Sequence, residues 1–195
     1  MHPTKKIKPF NTLIVGTGGQ GQLTLLQILA EAALIEGYEV KTSELHGLSQ
    51  RGGSVEVHHR FGKKVYSPLV PQGKADLIIG LEMQECLKAC YYTSKKTVFL
   101  INDFFVPIPG EKTPPVGEIL KILKKFSKKI NLVPAAEICQ KKFGTNVVAG
   151  VYLLSLASFK KLISLKPNSI LKAIKKIIPE KYLELNLKTF DLAKS

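Results

Sequence analysis

Along this 195-residue chain, short apolar runs alternate with longer segments of helical periodicity. Thr12-Leu13-Ile14-Val15 and Ala75 to Gly80 are short apolar runs that read as buried strands, and Thr97 to Ile101 and Ile130 to Val133 read as further strands. Between them, Leu23 to Ile35 predicts a helix that stops at Glu36-Gly37, and Val116 to Ser127 predicts another. A short helix through Glu85 and Leu87 follows Gly80, and Pro134 opens one ending near Phe143-Gly144. Thr145 is positioned to cap a longer helix that is apolar on every side and is therefore expected to be buried. From Pro167 onward the tail reads as helical and basic.

Tyr38 to Ser43 predicts a second strand, giving a strand–loop–helix–strand unit with parallel pairing implied. Val55, Val57, His59 and Phe61 alternate with Glu56, His58 and Arg60, as in a half-buried strand. Gly62-Lys63-Lys64 is expected to turn that strand into Val65-Tyr66 as a hairpin. Asn102 to Pro115, with Pro107, Pro109, Pro114 and Pro115, reads as an irregular loop. The pattern predicts an α/β protein: a three-layer α/β/α architecture with a mainly parallel central sheet and an inserted β-hairpin, one domain over residues 1–195.

Composition narrows the function classes. No run approaches the roughly 18 apolar residues of a membrane span, and the basic start, Met1 to Phe10, lacks a following apolar stretch. A cytoplasmic protein without membrane contact is expected. Cys86, Cys90 and Cys139 form no disulfide framework, no CxxC pair and no four-thiolate cluster set, so neither a metal site nor an iron–sulfur cluster is expected on this chain. The net charge of +14 suggests nucleic acid, but its distribution does not. Residues 1–110 carry 12 basic and 9 acidic side chains, whereas residues 111–195 carry 17 and 6. Most of that excess alternates with apolar residues on amphipathic helices, where lysines form the solvated face. No basic-aromatic interleaving accompanies them, so nucleic acid is not an expected partner, and a basic nucleic-acid-binding module stays open only as the lesser alternative.

Two glycine-rich stretches carry the candidate chemistry. Gly16-Thr17-Gly18-Gly19-Gln20-Gly21 lies between a strand and a helix, where close backbone approach and unpaired helix amides can cradle an anion. Glu44, 23 positions after Gly21, is a possible ribose-binding acid, which keeps a Rossmann-type NAD- or FAD-binding oxidoreductase open as an alternative. The second stretch, Glu44-Leu45-His46-Gly47-Leu48-Ser49-Gln50-Arg51-Gly52-Gly53-Ser54, holds Arg51, one of two arginines beside 27 lysines. A guanidinium kept amid glycines suits a carboxylate, a phosphate or another chain brought close to the backbone. His46, His58 and His59 lie near one another, but the last two point to opposite faces of one strand, and no nucleophile–base set emerges.

Those two stretches, with Tyr66-Ser67-Pro68-Leu69 and the ending Pro179 to Phe190, closely resemble the gamma-type subunits of the 2-oxoacid:ferredoxin oxidoreductases, nearest to the small (beta) subunits of the indolepyruvate-oxidising members. The resemblance runs from about Thr12 to Leu192. It implies oxidative decarboxylation of a 2-oxoacid with coenzyme A, giving an acyl-CoA, carbon dioxide and reduced ferredoxin. It also implies that thiamine diphosphate, magnesium and iron–sulfur clusters belong to a large catalytic (alpha) subunit, so the isolated chain is expected to be inactive. The chain itself has no Gly-Asp-Gly followed by the asparagine of a thiamine-magnesium motif. Gly16, Gly18, Gly19, Gln20 and Gly21 are then candidate cofactor contacts. His46, Ser49, Gln50, Arg51, Gly52 and Gly53 are candidates for the partner interface or for contact with coenzyme A.

Overall fold

The computed structural model describes residues 8–47, 52–107 and 112–194. Six strands form one sheet in the order β2-β3-β1-β4-β5-β6, where β1 is Phe10–Thr17, β2 Glu39–His46, β3 Ser54–Gly62, β4 Leu77–Gly80, β5 Val98–Asn102 and β6 Lys129–Val133. Strands β1, β4, β5 and β6 pair in parallel. The near-continuous apolar sequences of β1, β4 and β5 fit burial on both faces, with Leu13, Ile14, Leu77, Ile78, Ile79, Phe99, Leu100 and Ile101 all fully buried, whereas β6 is an edge strand and only partly buried.

Alternate residues of these strands feed two separate cores. Ile14, Leu77, Ile79 and Leu100 face α1 (Gln22–Ile35), α4 (Ala135–Phe143), α5 (Ala149–Phe159), α6 (Pro167–Ile177) and α7 (Glu180–Leu192). Leu13, Val15, Ile78, Phe99 and Ile101 face α2 (Glu85–Lys88) and α3 (Val116–Phe126). The three layers are thus a direct result of strand periodicity. Helix α5 is buried on nearly all sides, as its uniform apolarity requires. Among the described residues, no helix is long and apolar enough to cross a membrane.

Three expectations are corrected. Strand β2 does not pair with β1. Strand β3 lies between them, antiparallel to both, with Phe10–Thr17 registered against Phe61–Ser54 and Glu39–His46 against Gly62–Val55. A short connection joins β2 to β3, so a local antiparallel hairpin forms there, and β3 fills the position that the direct crossover would have used. The expected turn at Gly62 leads to no strand at Val65-Tyr66. Side chains anchor that segment instead: Arg60 Nη1 donates to the carbonyls of Ser67 and Leu69, and the Val70 N–H donates to His58 Nδ1 at 3.0 Å. Nor does Thr145 cap α5. Its Oγ1 accepts the Val147 N–H, and Val148 holds the cap position.

Strand β3 is more buried than its alternation implies, because that anchored segment and Tyr92 cover its second face. His58 is fully buried there. Since Nδ1 accepts from Val70, Nε2 carries the proton and donates to Glu56 Oε1 at 2.8 Å, and the Tyr92 hydroxyl donates to the same oxygen at 2.7 Å. His59 points the other way, its ring centroid 5.4 Å from that of Phe61, and among the described residues neither ring nitrogen makes a hydrogen bond of good geometry. Burial, only partly offset by the Leu29 backbone, pushes its pKa down to about 3.

Two predictions follow from this packing. A Cβ at Gly80 would lie 2.1 Å from the buried Cys86 Sγ, so Gly80→Ala should cost about 3 kcal/mol in chemical denaturation, with much of that recovered when Cys86→Ala is added. The unfolded chain protonates His59 near 6.5 while the folded chain resists until about 3, so stability present above pH 6.5 should fall as pH drops through that window. His59→Leu should therefore gain about 2 kcal/mol relative to the parent at pH 5 compared with pH 7.5. Parallel denaturation curves for the two proteins at both pH values would show the opposite.

Candidate functional site

The C-terminal ends of β1, β4, β5 and β6 open together on one edge of the sheet. The chain leaves β1 toward β2 and β3 on one side and continues to β4, β5 and β6 on the other, so the crevice between β1 and β4 is a topological switch point. A cleft of about 320 Å³ lies there, lined by Thr17 to Gln20, Gly52, Asn102, Asn146 and Val147 among others. Such positions are favoured for ligands because loops, not side-by-side helices, form the walls.

The Gly16–Gly21 loop is held by its own amides. Gln20 Oε1 accepts the Thr17 N–H at 2.8 Å, and Gln22 Nε2 donates to the Thr17 carbonyl at 2.7 Å. Gly16 makes room for both: a Cβ there would stand 2.5 Å from Gln20 Oε1 and 2.8 Å from Gln22 Nε2. Gly19 and Gly21 adopt φ of +99° and +80°, which side chains resist, and Gly21 sits at the start of α1 with no side-chain cap. The loop's tightness is therefore a matter of both backbone conformation and local crowding.

The second glycine stretch reaches the first. The Gly18 N–H donates to the Gly53 carbonyl at 2.8 Å, Gly52 lines the cleft, and the Gly47 N–H closes on the Ser54 carbonyl at 2.9 Å. His46 is half exposed at the end of β2 and lies 3.4 Å from Glu44. Next to it is a second hollow, of about 520 Å³, lined by Gly18, Gly19, Gly21, His46 and Gly47 among others. The structure thus brings Gly16, Gly18, Gly19, Gln20, Gly21, His46, Gly52 and Gly53 to one face. Ser49, Gln50 and Arg51 lie outside the described residues.

Sequence reasoning missed the floor of the cleft. The Leu81 carbonyl, just past β4, accepts from Asn102 Nδ2 at 3.2 Å and, at a longer 3.4 Å, from Gln20 Nε2. Asn102 Oδ1 accepts the Ala136 N–H at 3.0 Å, fixing the start of α4. One buried asparagine therefore ties the ends of three segments together. The available signal was a polar residue closing the apolar strand Val98 to Ile101. Glu82 was missed as well. It is buried, its Oε2 accepts the Glu85 N–H at 2.8 Å, its Oε1 has no partner among the described residues, and burial raises its pKa. Nearby, the Ser54 hydroxyl donates to Glu85, which also pairs with Lys88.

The geometry weighs on the dinucleotide alternative. Glu44 lies on the edge strand β2, with β3 between it and the glycine loop's strand, so it does not stand at the end of a neighbouring parallel strand where a ribose-binding acid would. Among the described residues, no three His, Cys, Asp or Glu side chains converge as a metal site.

Comparison with known proteins covers nearly the whole chain. The pyruvate ferredoxin/flavodoxin oxidoreductase family model matches residues 11–195. Indolepyruvate oxidoreductase subunit IorB of Archaeoglobus fulgidus is 37% identical over 190 residues, covering 93% of this chain and 92% of that protein. The keto/oxoacid ferredoxin oxidoreductase gamma subunit of Geobacter sulfurreducens shares the fold with a TM-score of 0.70 at 20% identity, over 95% of this chain and 96% of its own. The 2-oxoglutarate:ferredoxin oxidoreductase of Magnetococcus marinus, solved with 2-oxoglutarate, coenzyme A and succinyl-CoA bound, matches with a TM-score of 0.70 at 18% identity; 96% of this chain aligns with 30% of that one. With the family model matching residues 11–195 and a relative 37% identical over nearly its whole length, this chain belongs to the pyruvate ferredoxin/flavodoxin oxidoreductase family.

Proposed function

We propose that this chain is the small subunit of a heteromeric 2-oxoacid:ferredoxin oxidoreductase that converts indolepyruvate or other arylpyruvates, with coenzyme A, to arylacetyl-CoA and carbon dioxide while reducing ferredoxin in the cytoplasm. The observation that carries this reading is the end-to-end similarity to an indolepyruvate oxidoreductase subunit, at 37% identity. Thiamine diphosphate with magnesium would supply the decarboxylation chemistry and iron–sulfur clusters would take the electrons, all on the large alpha subunit.

The contribution of this chain is to build and close one wall of the site. The Gly16–Gly21 loop and the stretch from His46 to Gly53 face the large subunit, and their joined glycines let a second backbone approach closely. Arg51 supplies charge-assisted hydrogen bonds to a partner carboxylate or to a phosphate of coenzyme A. The coenzyme A reading is supported by the switch-point cleft beside Gly52 and by the coenzyme A bound in the Magnetococcus enzyme. Asn102 holds the floor of that cleft without touching a ligand in the role assigned here.

Purification of the tagged chain from its native cell should bring down a large thiamine- and cluster-bearing subunit, and the complex should reduce viologen dyes with indolepyruvate and coenzyme A. A chain that recovers alone, with no oxoacid supporting reduction by any fraction, removes the proposal. Arg51→Lys should weaken assembly or turnover by roughly tenfold, the worth of one charge-assisted hydrogen bond; unchanged activity would remove Arg51 from the role. Asn102→Ala leaves the Leu81 carbonyl and the Ala136 N–H without their shared partner, so it should cost about 1–3 kcal/mol of stability and raise the coenzyme A KM more than it lowers kcat.

A further inference from the structure

The second arginine of the chain is at the opposite end of the sheet from the glycine loop. Arg60 on β3 is fixed by three hydrogen bonds: Nε donates to Asn11 Oδ1 at 2.8 Å, and Nη1 donates to the Ser67 carbonyl at 2.8 Å and the Leu69 carbonyl at 3.1 Å. Asn11 is itself buried and held, its Nδ2 donating to the Lys74 carbonyl at 2.7 Å. The guanidinium is therefore oriented in advance, and its Nη2 makes no hydrogen bond among the described residues. A rigid, pre-oriented fork loses little freedom on meeting an anion.

A cleft of about 690 Å³ opens beside it, and Lys8, Lys74, Lys95 and Lys96 also line it. That volume is in the range of small-molecule sites, which run to roughly 300–1,000 Å³. These four lysines, like most of the described lysines, make no ion pair among the described residues, so with Arg60 they bring five cations to a cleft lined by one carboxylate. Lys95 Nζ rests on the Lys125 carbonyl, at the end of α3. The one carboxylate lining the cleft, Asp76, accepts the Asn11 N–H at 2.8 Å, and burial raises its pKa.

The wall that carries Lys95 and Lys96 is braced. The Ser94 N–H donates to Thr97 Oγ1 at 2.8 Å, Thr97 Oγ1 donates to the Ala75 carbonyl at 2.6 Å, and Ser127 Oγ donates to the Thr97 carbonyl at 2.6 Å. A lysine-rich helix face lacks all three features: concavity, a fixed guanidinium and a braced rim. We propose that this cleft binds a small polyanion, an oligophosphate or a polycarboxylate, with Arg60 as the fork and Lys74, Lys95 and Lys96 as the surrounding charges. The concave shape and the recessed arginine favour a small molecule over a nucleic-acid duplex, which would seek a flat or grooved basic face.

The test is isothermal titration of the full-length chain at low ionic strength with tripolyphosphate and, separately, with citrate. One-to-one binding of at least one anion is expected, and the preferred anion identifies the phosphate or carboxylate source. Lys95→Gln with Lys96→Gln should weaken it by roughly tenfold or more, whereas Lys172→Gln with Lys175→Gln on α6, an equal change in net charge, should leave it unaltered. Arg60→Lys keeps the charge but removes the fork, and should also weaken binding provided its circular dichroism matches the parent. Equal losses in the two double variants would reduce the effect to diffuse charge and overturn the proposal, as would failure of both anions to bind. Tighter binding of a short DNA duplex, lost in the Lys95/Lys96 variant, would replace the small polyanion with nucleic acid.

Discussion

The antiparallel ladder between β1 and β3 is the constraint on which the rest depends. Eight registered pairs, from Phe10 with Phe61 to Thr17 with Ser54, bring the residue before β3 to the residue after β1. The hydrogen bond from Gly18 to Gly53 is the continuation of that ladder beyond the strand ends. Two glycine motifs separated by about thirty residues in sequence become one surface for this reason. The same ladder sets Asn11 opposite Arg60 at the other end, so both ends of β1 acquire their chemistry from one strand pairing.

The parallel half of the sheet supplies depth where the antiparallel half supplies the rim. Leu81, Asn102 and Ala136 follow or close successive parallel strands, and their hydrogen bonds lock the floor of the cleft. Above that floor, the crowding at Gly16 and the positive φ of Gly19 and Gly21 leave little freedom for the loop to reshape. A pre-formed wall of this kind suits a subunit that completes another subunit's site, because little ordering entropy is then lost on assembly.

Much of this was legible in the chain. The parallel strands, the helices and the layer order follow from apolar runs and 3.6-residue periodicity, and the glycine stretches pointed to the face they occupy. The order of the sheet was not legible, because a strand–helix–strand unit reads the same whether or not a third strand inserts between its strands. The false hairpin after Gly62 arose from a good turn sequence whose following segment is held by Arg60 and His58 side chains instead of a ladder. Thr145 failed as a cap because the helix starts later, at Ala149, and local sequence does not fix that register. Asn102 escaped notice because it is a lone polar residue whose partners are distant backbone groups, and Glu82 because its bond to the Glu85 N–H is local while its burial is set by tertiary packing.

The most direct test of the central claim is amide hydrogen exchange on this chain, free and within the purified complex. A subunit that closes its partner's site through the glycine face should gain protection at residues 17–22, 52–54 and 146–150, while the far cleft around residues 94–97 stays unchanged. Protection confined to the helices α3 or α6, with the glycine face exchanging equally in both states, would contradict the account.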